Sequence, residues 1–242
     1  MQYRTLGNSD LEVSVITFGA WAAGGWMWGG NDDREAIDAM RAAYDLGVTS
    51  IDTAPIYGQG KSEELVGQAI KDLPRDKVQI LNKFGMRWDL AKGTFGFKSK
   101  DNSGNDIDIY KYAAKESIIE ECENSLKRLG TDYIDLYQTH WDDITVPVEE
   151  TLETYSELVK AGKVRWIGAS NLSPERLTKS LQSSEANGFP SYQTFQPEYN
   201  LYERAGFEKE LEQICLDNNL GVMNYYSLAS GLLTANTEAK QT

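Results

Sequence analysis

Short apolar runs alternate with amphipathic helical patterns along most of this chain, and that alternation restricts the fold more than any other feature. VITFG (Val15–Gly19), TSID (Thr49–Asp52), VQILNK (Val78–Lys83) and YIDLYQTH (Tyr133–His140) read as strands. So do VRWIGAS (Val164–Ser170), YQTFQ (Tyr192–Gln196) and GVMNYY (Gly221–Tyr226). Between them, helical stripes carry Ile37, Met40 and Tyr44; Leu65, Val66, Ala69 and Ile70; Ile118, Cys122, Ser125 and Leu129; and Val148, Leu152, Tyr155 and Val159. Two more helices are predicted from Pro174 and over Arg204–Asn219. Seven strands alternating with six helices predict a parallel sheet with helices outside it, either an open doubly wound sheet or most of a barrel. A length of 242 residues suits one such domain spanning the whole chain.

The segments outside the repeat add detail. YRTLGNSDLEVS reads as a hairpin turning at Gly-Asn-Ser-Asp, and a hairpin ahead of the first repeat suits the floor of a barrel. The Phe84–Tyr110 stretch is long, polar and glycine-rich with no evident period, which predicts a lid or a mobile segment. LASGLLTANTEAKQT then ends the sequence without an eighth strand or a closing helix, and an unclosed barrel would leave a sheet edge bare.

Charge narrows the partners. Lys and Arg number 24 against 37 Asp and Glu, a formal net charge of −13. Such a surface repels phosphate backbones, so nucleic acid is not expected as a partner. No basic amphipathic segment, signal peptide or long apolar run is present, so membrane insertion is not expected and a cytoplasmic location is. Cys122 and Cys215 lack any metal-ligand spacing and are expected as reduced thiols packed in helices, with no metal.

Two glycine-rich stretches resemble phosphate cradles and fail as such. GQGKS would need a glycine where Pro55 stands to complete a P-loop, and Ser62 is expected instead to cap the helix opening with Glu63 and Glu64. GGWMWGG (Gly24–Gly30) has neither the spacing nor the helix of a dinucleotide fingerprint. The chemistry is expected at the C-terminal strand ends, where a parallel barrel places its site. Asp52, Lys83, His140 and Gln196 end strands, and Tyr57 follows Asp52 in its loop. Each alone has an ordinary structural explanation: a turn aspartate, a surface tyrosine, a solvated rim lysine, a core histidine. Together they form a proton-transfer device, with a lysine cation lowering the tyrosine pKa, an aspartate holding the lysine, and a histidine orienting a substrate oxygen. Carbonyl reduction also needs a hydride, for which a nicotinamide cofactor is the expected source.

At these residues the sequence resembles the aldo-keto reductase superfamily, and most closely its bacterial branch related to potassium-channel β-subunits. The likeness runs from residue 2 to about Thr234 through RTLGNSDLEVSVITFGAW, GVTSIDTAPIYGQGKSEELVGQAI, LKRLGTDYIDLYQTHW, LVKAGKVRWIGASN, QPEYNL and YYSLASGLLT. The resemblance implies a (β/α)8 TIM barrel with an N-terminal β-hairpin, its eighth βα unit missing from this sequence. It implies a catalytic tetrad of Asp52, Tyr57, Lys83 and His140. It implies that Ser170, Asn171 and Gln196 hold the nicotinamide carboxamide and that Tyr225 stacks on the ring. Gly19, Ala20 and Trp21, with Tyr226, Leu228, Ser230 and Leu232 near the pyrophosphate, would line the cofactor, and Asp52 would also lie against it. NADPH is the expected cofactor, with NADH possible. After Thr234 the sequence departs from the family pattern, where a further helix, strand and tail grip the adenosine end, so incompleteness at the C-terminus is expected.

The leading expectation is reduction of aldehydes and ketones, or the reverse oxidation, with Tyr57 as general acid and a small carbonyl substrate. The alternative is a cofactor-binding regulatory or redox-sensing subunit with slow chemistry. A third reading makes Lys83 a Schiff-base nucleophile, which needs a neutral lysine that Asp52 disfavours. The substrate pocket is expected to include Trp21, Tyr57, Trp88, His140 and Trp141, with Trp26 and Trp28 also at the mouth.

Overall fold

The computed structural model describes residues 1–30 and 32–234; the tail reading after Thr234 lies outside the described residues. The chain opens with β1 (Tyr3–Thr5) and β2 (Glu12–Ser14), followed by β3 (Phe18–Gly19), α1 (Asp33–Asp45), β4 (Ser50–Asp52) and α2 (Lys61–Ile70). Next come β5 (Gln79–Phe84), the short strands β6 (Met86–Arg87), β7 (Thr94–Lys100) and β8 (Asp106–Lys111), and α3 (Lys115–Leu129). Then follow β9 (Ile134–Thr139), α4 (Val148–Lys160), β10 (Val164–Ser170), α5 (Pro174–Asn187) and β11 (Thr194–Gln196). The described part ends with α6 (Ala205–Glu208), α7 (Leu211–Asp217) and β12 (Gly221–Val222).

Seven strands form one curved parallel sheet in the order β12-β11-β10-β9-β5-β4-β3, which is the βα-barrel arrangement. All seven strands read from the sequence are present, though β3, β11 and β12 are shorter than the apolar runs that predict them. The helical stripes bury as a helix-over-sheet layer requires: Met40, Leu65, Val66, Ile118, Cys122, Leu152, Tyr155 and Leu177 pack in one cluster with Ile80, Ile134 and Ile167 of the strands. Local signals set the helix ends. Asp32 caps α1 by accepting from the N–H groups of Arg34 and Glu35, Ser173 caps α5 ahead of Pro174, and Gly130 closes α3 in the left-handed region.

The first hairpin is antiparallel, with Tyr3 opposite Ser14, and it plugs one end of the sheet. Leu6, Leu11 and Val13 bury against Leu81 and Leu136 inside the curve, so the floor expected from the sequence is in place. Three other expectations need correction. The stretch from Phe84 to Tyr110 is an ordered antiparallel sheet, β6-β8-β7, in which DIDIYK (Asp106–Lys111) does alternate. The single helix expected over Arg204–Asn219 breaks at Lys209, whose backbone leaves the helical region, giving α6 and α7. Ser62 does not cap α2: Gly60 occupies that position, and the Ser62 hydroxyl instead donates to Ala20 O at 2.7 Å and meets Thr53 Oγ1 at 2.8 Å. Both cysteines are buried free thiols in helices, and no helix among the described residues is long and apolar enough to cross a membrane.

Candidate active site

The C-terminal ends of the parallel strands open into a large cavity, and the strand-end residues converge on it. Lys83, near the end of β5, is almost fully buried, and its Nζ donates to Asp52 Oδ1 at 2.5 Å and to Thr53 O at 3.1 Å. Gln196 Nε2, from the end of β11, donates to Asp52 Oδ2 at 3.1 Å, so both carboxylate oxygens are engaged. Tyr57 lies above this pair, its ring centroid 5.0 Å from Lys83 Nζ. His140, just past β9, meets the Tyr57 ring edge to face at 5.6 Å. Asp52, Tyr57, Lys83, His140 and Gln196 all line the cavity.

The loop geometry that presents Tyr57 depends on glycine. Gly58 has φ +68°, and a Cβ there would lie 2.1 Å from Gly24 O, so no side chain fits. This close approach presses the Tyr57 loop against the Trp21–Trp28 segment. Trp21 then stacks on Tyr57 at 5.4 Å with the planes 14° apart, and Trp26 and Trp28 follow it along the wall.

Burial sets the protonation states. It pushes the Tyr57 hydroxyl well above its ordinary pKa, with the Asp52 and Tyr226 charges adding to the rise. The sequence expectation of a lowered pKa is therefore corrected: desolvation of the buried phenol, with the Asp52 charge, raises it. Burial first, and Lys83 second, hold His140 well below the usual imidazole value, so the ring is neutral near pH 7. Burial likewise lowers Lys83, while Asp52 opposes the drop. With its Nζ already held by Asp52 and Thr53, Lys83 is poorly disposed as a Schiff-base nucleophile.

The facing wall carries the other residues singled out from the sequence. Ser170 Oγ donates to Gln196 O at 2.7 Å. Asn171 Nδ2 donates to His140 O at 3.0 Å, and its Oδ1 accepts from Tyr225 Oη at 2.8 Å. Gly19, Ser170, Asn171, Gln196, Tyr225, Tyr226 and Leu228 line the cavity. Ala20 is buried beside it and gives its carbonyl to Ser62. Ser230 and Leu232 are exposed in the turn beyond Leu228, where Ala229, Ser230 and Gly231 all take positive φ. Trp141 lines the cavity with Trp21, Trp26 and Trp28, whereas Trp88 packs behind the wall against the Ile56, Tyr57 and Met86 cluster.

The structure adds lining residues that the sequence reading did not name. Phe97 of β7 and Met86 of β6 reach the cavity from the antiparallel sheet, and Thr53 supplies the second acceptor for Lys83. The alternation of Phe95 and Phe97 across Gly96 was the available signal for β7. Its tie to the site is tertiary: Trp26 Nε1 donates to Ser99 Oγ at 3.2 Å and to Lys100 O at 3.0 Å.

Comparison with known proteins places this arrangement. Residues 15–242 match the Aldo/keto reductase family, and the chain belongs to that family. It is 44% identical to "Aldo-keto reductase YhdN" of Bacillus subtilis over 97% of this chain and 64% of that protein. It is 40% identical to the "NADH-specific methylglyoxal reductase" of Escherichia coli over 95% of this chain and 68% of that protein. Among solved structures, the glycerol dehydrogenase AKR11B4 from Gluconobacter oxydans superposes with a TM-score of 0.82 at 34% identity, covering 99% of this chain and 68% of that one. The chain thus spans about two thirds of the length of these relatives.

Proposed function

We propose that this chain carries the reaction centre of a nicotinamide-dependent reductase of aldehydes and ketones. The observation that carries the reading is the convergence of Tyr57, His140 and the Lys83–Asp52 ion pair on one cavity wall. The facing residues suit a nicotinamide: Ser170, Asn171 and Gln196 offer the hydroxyl and amide groups that pair with a carboxamide, beside the aromatic face of Tyr225. When bound, the cofactor supplies the hydride that a carbonyl carbon receives.

Each protein group then has one task. Neutral His140 donates a hydrogen bond to the substrate oxygen and orients it. Tyr57 holds its proton firmly until negative charge grows on that oxygen, and then transfers it from Oη. A buried phenol with a raised pKa is a weak acid toward water but adequate toward an alkoxide. The Lys83 cation stabilises the phenolate left behind, and Asp52 and Thr53 keep that cation in place. The aromatic wall of Trp21, Trp26, Trp28 and Phe97 excludes water from the reacting atoms.

The relatives bear on substrate and cofactor only through their names: one reduces methylglyoxal with NADH, another is a glycerol dehydrogenase. Small oxygenated carbonyl compounds are accordingly the substrates to assay first, with NADPH and NADH titrated side by side. Tyr57→Phe tests the mechanism. Turnover on an aldehyde panel is expected to fall about 100- to 10,000-fold while cofactor affinity holds. Full turnover in the variant would sink this reading.

A further inference from the structure

The GQGKSEE segment after Tyr57 has no part in the chemistry above, yet it carries a completely buried carboxylate close behind the tetrad. Glu63, in the first turn of α2, has 0% exposure. Its Oε1 accepts from Asn82 Nδ2 at 2.8 Å and its Oε2 from Arg128 Nε at 2.6 Å. Asn82 Oδ1 in turn accepts the main-chain N–H of Lys83 at 2.9 Å.

The last of these bonds has a topological cause. Strand β4 pairs with β5 only as far as Asp52 opposite Leu81, so the Lys83 N–H lies beyond the last rung of that ladder. The Asn82 side chain stands in for the absent strand partner, and Glu63 fixes that side chain. Arg128 enters from the last turn of α3 and packs under Gly60, where a Cβ would come within 2.8 Å of Arg128 Cδ. Gly60 has φ +97°, so this corner of the Tyr57 loop excludes a side chain on both grounds. Ser62, the neighbour of Glu63, ties the same helix start to Ala20 O and Thr53.

We propose that Glu63, acting through Asn82 and Arg128, positions the tetrad by locking the Lys83 backbone to the start of the helix that follows Tyr57. Tyr57 and Lys83 come from different βα units, and no direct hydrogen bond between their side chains fixes their separation. The Glu63 junction joins the two units behind the site. This claim rests on the reading of Tyr57 and Lys83 as the reacting pair. A role in stability alone would lower the melting temperature and leave the rate of the folded enzyme unchanged.

The test uses the full-length protein with Glu63→Leu, Glu63→Gln, Asn82→Ala and the exposed control Glu64→Gln. In Asn82→Ala and Glu63→Leu, exchange of the Lys83 amide, followed by NMR, is expected to quicken at least about tenfold, while Leu136 of β9 stays protected. In the same variants kcat falls by about 100-fold, as a displacement of about 1 Å at a reacting group produces, with KM and cofactor Kd within about twofold of wild type. Glu63→Gln, which keeps an acceptor for Asn82, recovers most of the loss, and Glu64→Gln matches wild type. If Glu63→Leu does not fold, Asn82→Ala, which removes the link between the carboxylate and the Lys83 N–H, carries the same expectations. Folded variants with wild-type kcat and wild-type Lys83 exchange overturn the proposal, and so does a loss confined to KM or melting temperature. The exchange readout needs no turnover. A wild-type protein without Tyr57-dependent reduction therefore defeats the functional reading separately from the positioning claim.

Discussion

The two walls of the cavity are built on different terms. On the tetrad wall, Lys83 is 2% exposed and bound to two oxygens, Asp52 uses both carboxylate oxygens, and Tyr57 and His140 are buried against each other. On the facing wall, Ser227, Leu228, Ser230 and Leu232 are exposed, and four positive-φ residues bend the backbone within Tyr226–Gly231. The contrast suits the division of labour proposed above. Groups that stabilise developing charge must be fixed before reaction, because reorganisation during it costs rate. A wall that would hold a large ligand needs accessible surface, and the turn after Tyr226 gains it by giving up burial.

Removing one partner should therefore cost far more on the first wall than on the second. Asp52→Ala strands the Lys83 ammonium in a buried site and is expected to lower stability by about 3–5 kcal/mol. Ser230→Ala, in the exposed turn, should stay within about 0.5 kcal/mol. Denaturant unfolding of both variants decides it, and equal losses would erase the distinction.

A second way to sharpen it is pH. Glu121 of α3 lies behind the tetrad wall, where both carboxyl oxygens face the Gly85 N–H, at 3.2 and 3.1 Å, and burial pushes its pKa from 4.5 up to about 8. A folded-state pKa above the unfolded one means the native protein holds the extra proton between these values. The stabilisation is complete below pH 4.5 and is lost as pH rises through about 8. The expected slope is a loss of about 1.4 kcal/mol per pH unit inside that window. Burial lowers His140, which acts in the opposite sense below its ordinary pKa of 6.5, so the difference between wild type and Glu121→Gln isolates the carboxyl. Parallel stability curves for the two proteins would remove Glu121 from the account. The sensitivity of the facing wall should appear on ligand binding instead. Tyr225→Ala is expected to weaken cofactor binding by about tenfold through the lost aromatic face, with little change in melting temperature.

The sequence showed the first wall more clearly than the second. Strand-end positions follow from hydrophobic periodicity, so Asp52, Lys83, His140 and Gln196 were legible as convergent groups before any coordinates. Tyr57 was legible because it sits in the loop between a strand end and a helix start. The pKa of Tyr57 was not, because its direction depends on how completely the phenol is enclosed, and enclosure is a property of the packed whole. Ser62 shows the same limit at shorter range. Its position near a helix start looks like a cap, but a buried hydroxyl seeks the acceptors nearest in space, here Ala20 O and Thr53. Trp88 was placed in the pocket by its loop position, but it packs against the Ile56, Tyr57 and Met86 cluster and does not line the cavity.

The antiparallel sheet β6-β8-β7 belongs to neither wall by chain order, and its attachment gives the finest test of the comparison. Trp26 hooks it on: one indole N–H serves Ser99 Oγ and Lys100 O, and the ring stacks on Phe97 at 6.4 Å. Asn102 Nδ2 adds a bond to Gly24 O at 2.8 Å near the hairpin tip. Trp26→Phe keeps an aromatic ring and deletes the donor, so it should cost about 1 kcal/mol. If the hairpin is an appendage to a rigid tetrad wall, that cost will appear as faster amide exchange across residues 94–111, with β4 and β5 unchanged. The hairpin touches the Trp21–Trp28 segment and packs Met86 and Ile109 against Ile56 and Tyr57, while Lys83 and Asp52 are held from behind by Thr53, Asn82 and Gln196. Exchange that quickens equally in β4 and β5 would show that the hairpin and the tetrad open as one unit, and the first wall would then extend through Trp26 into β7.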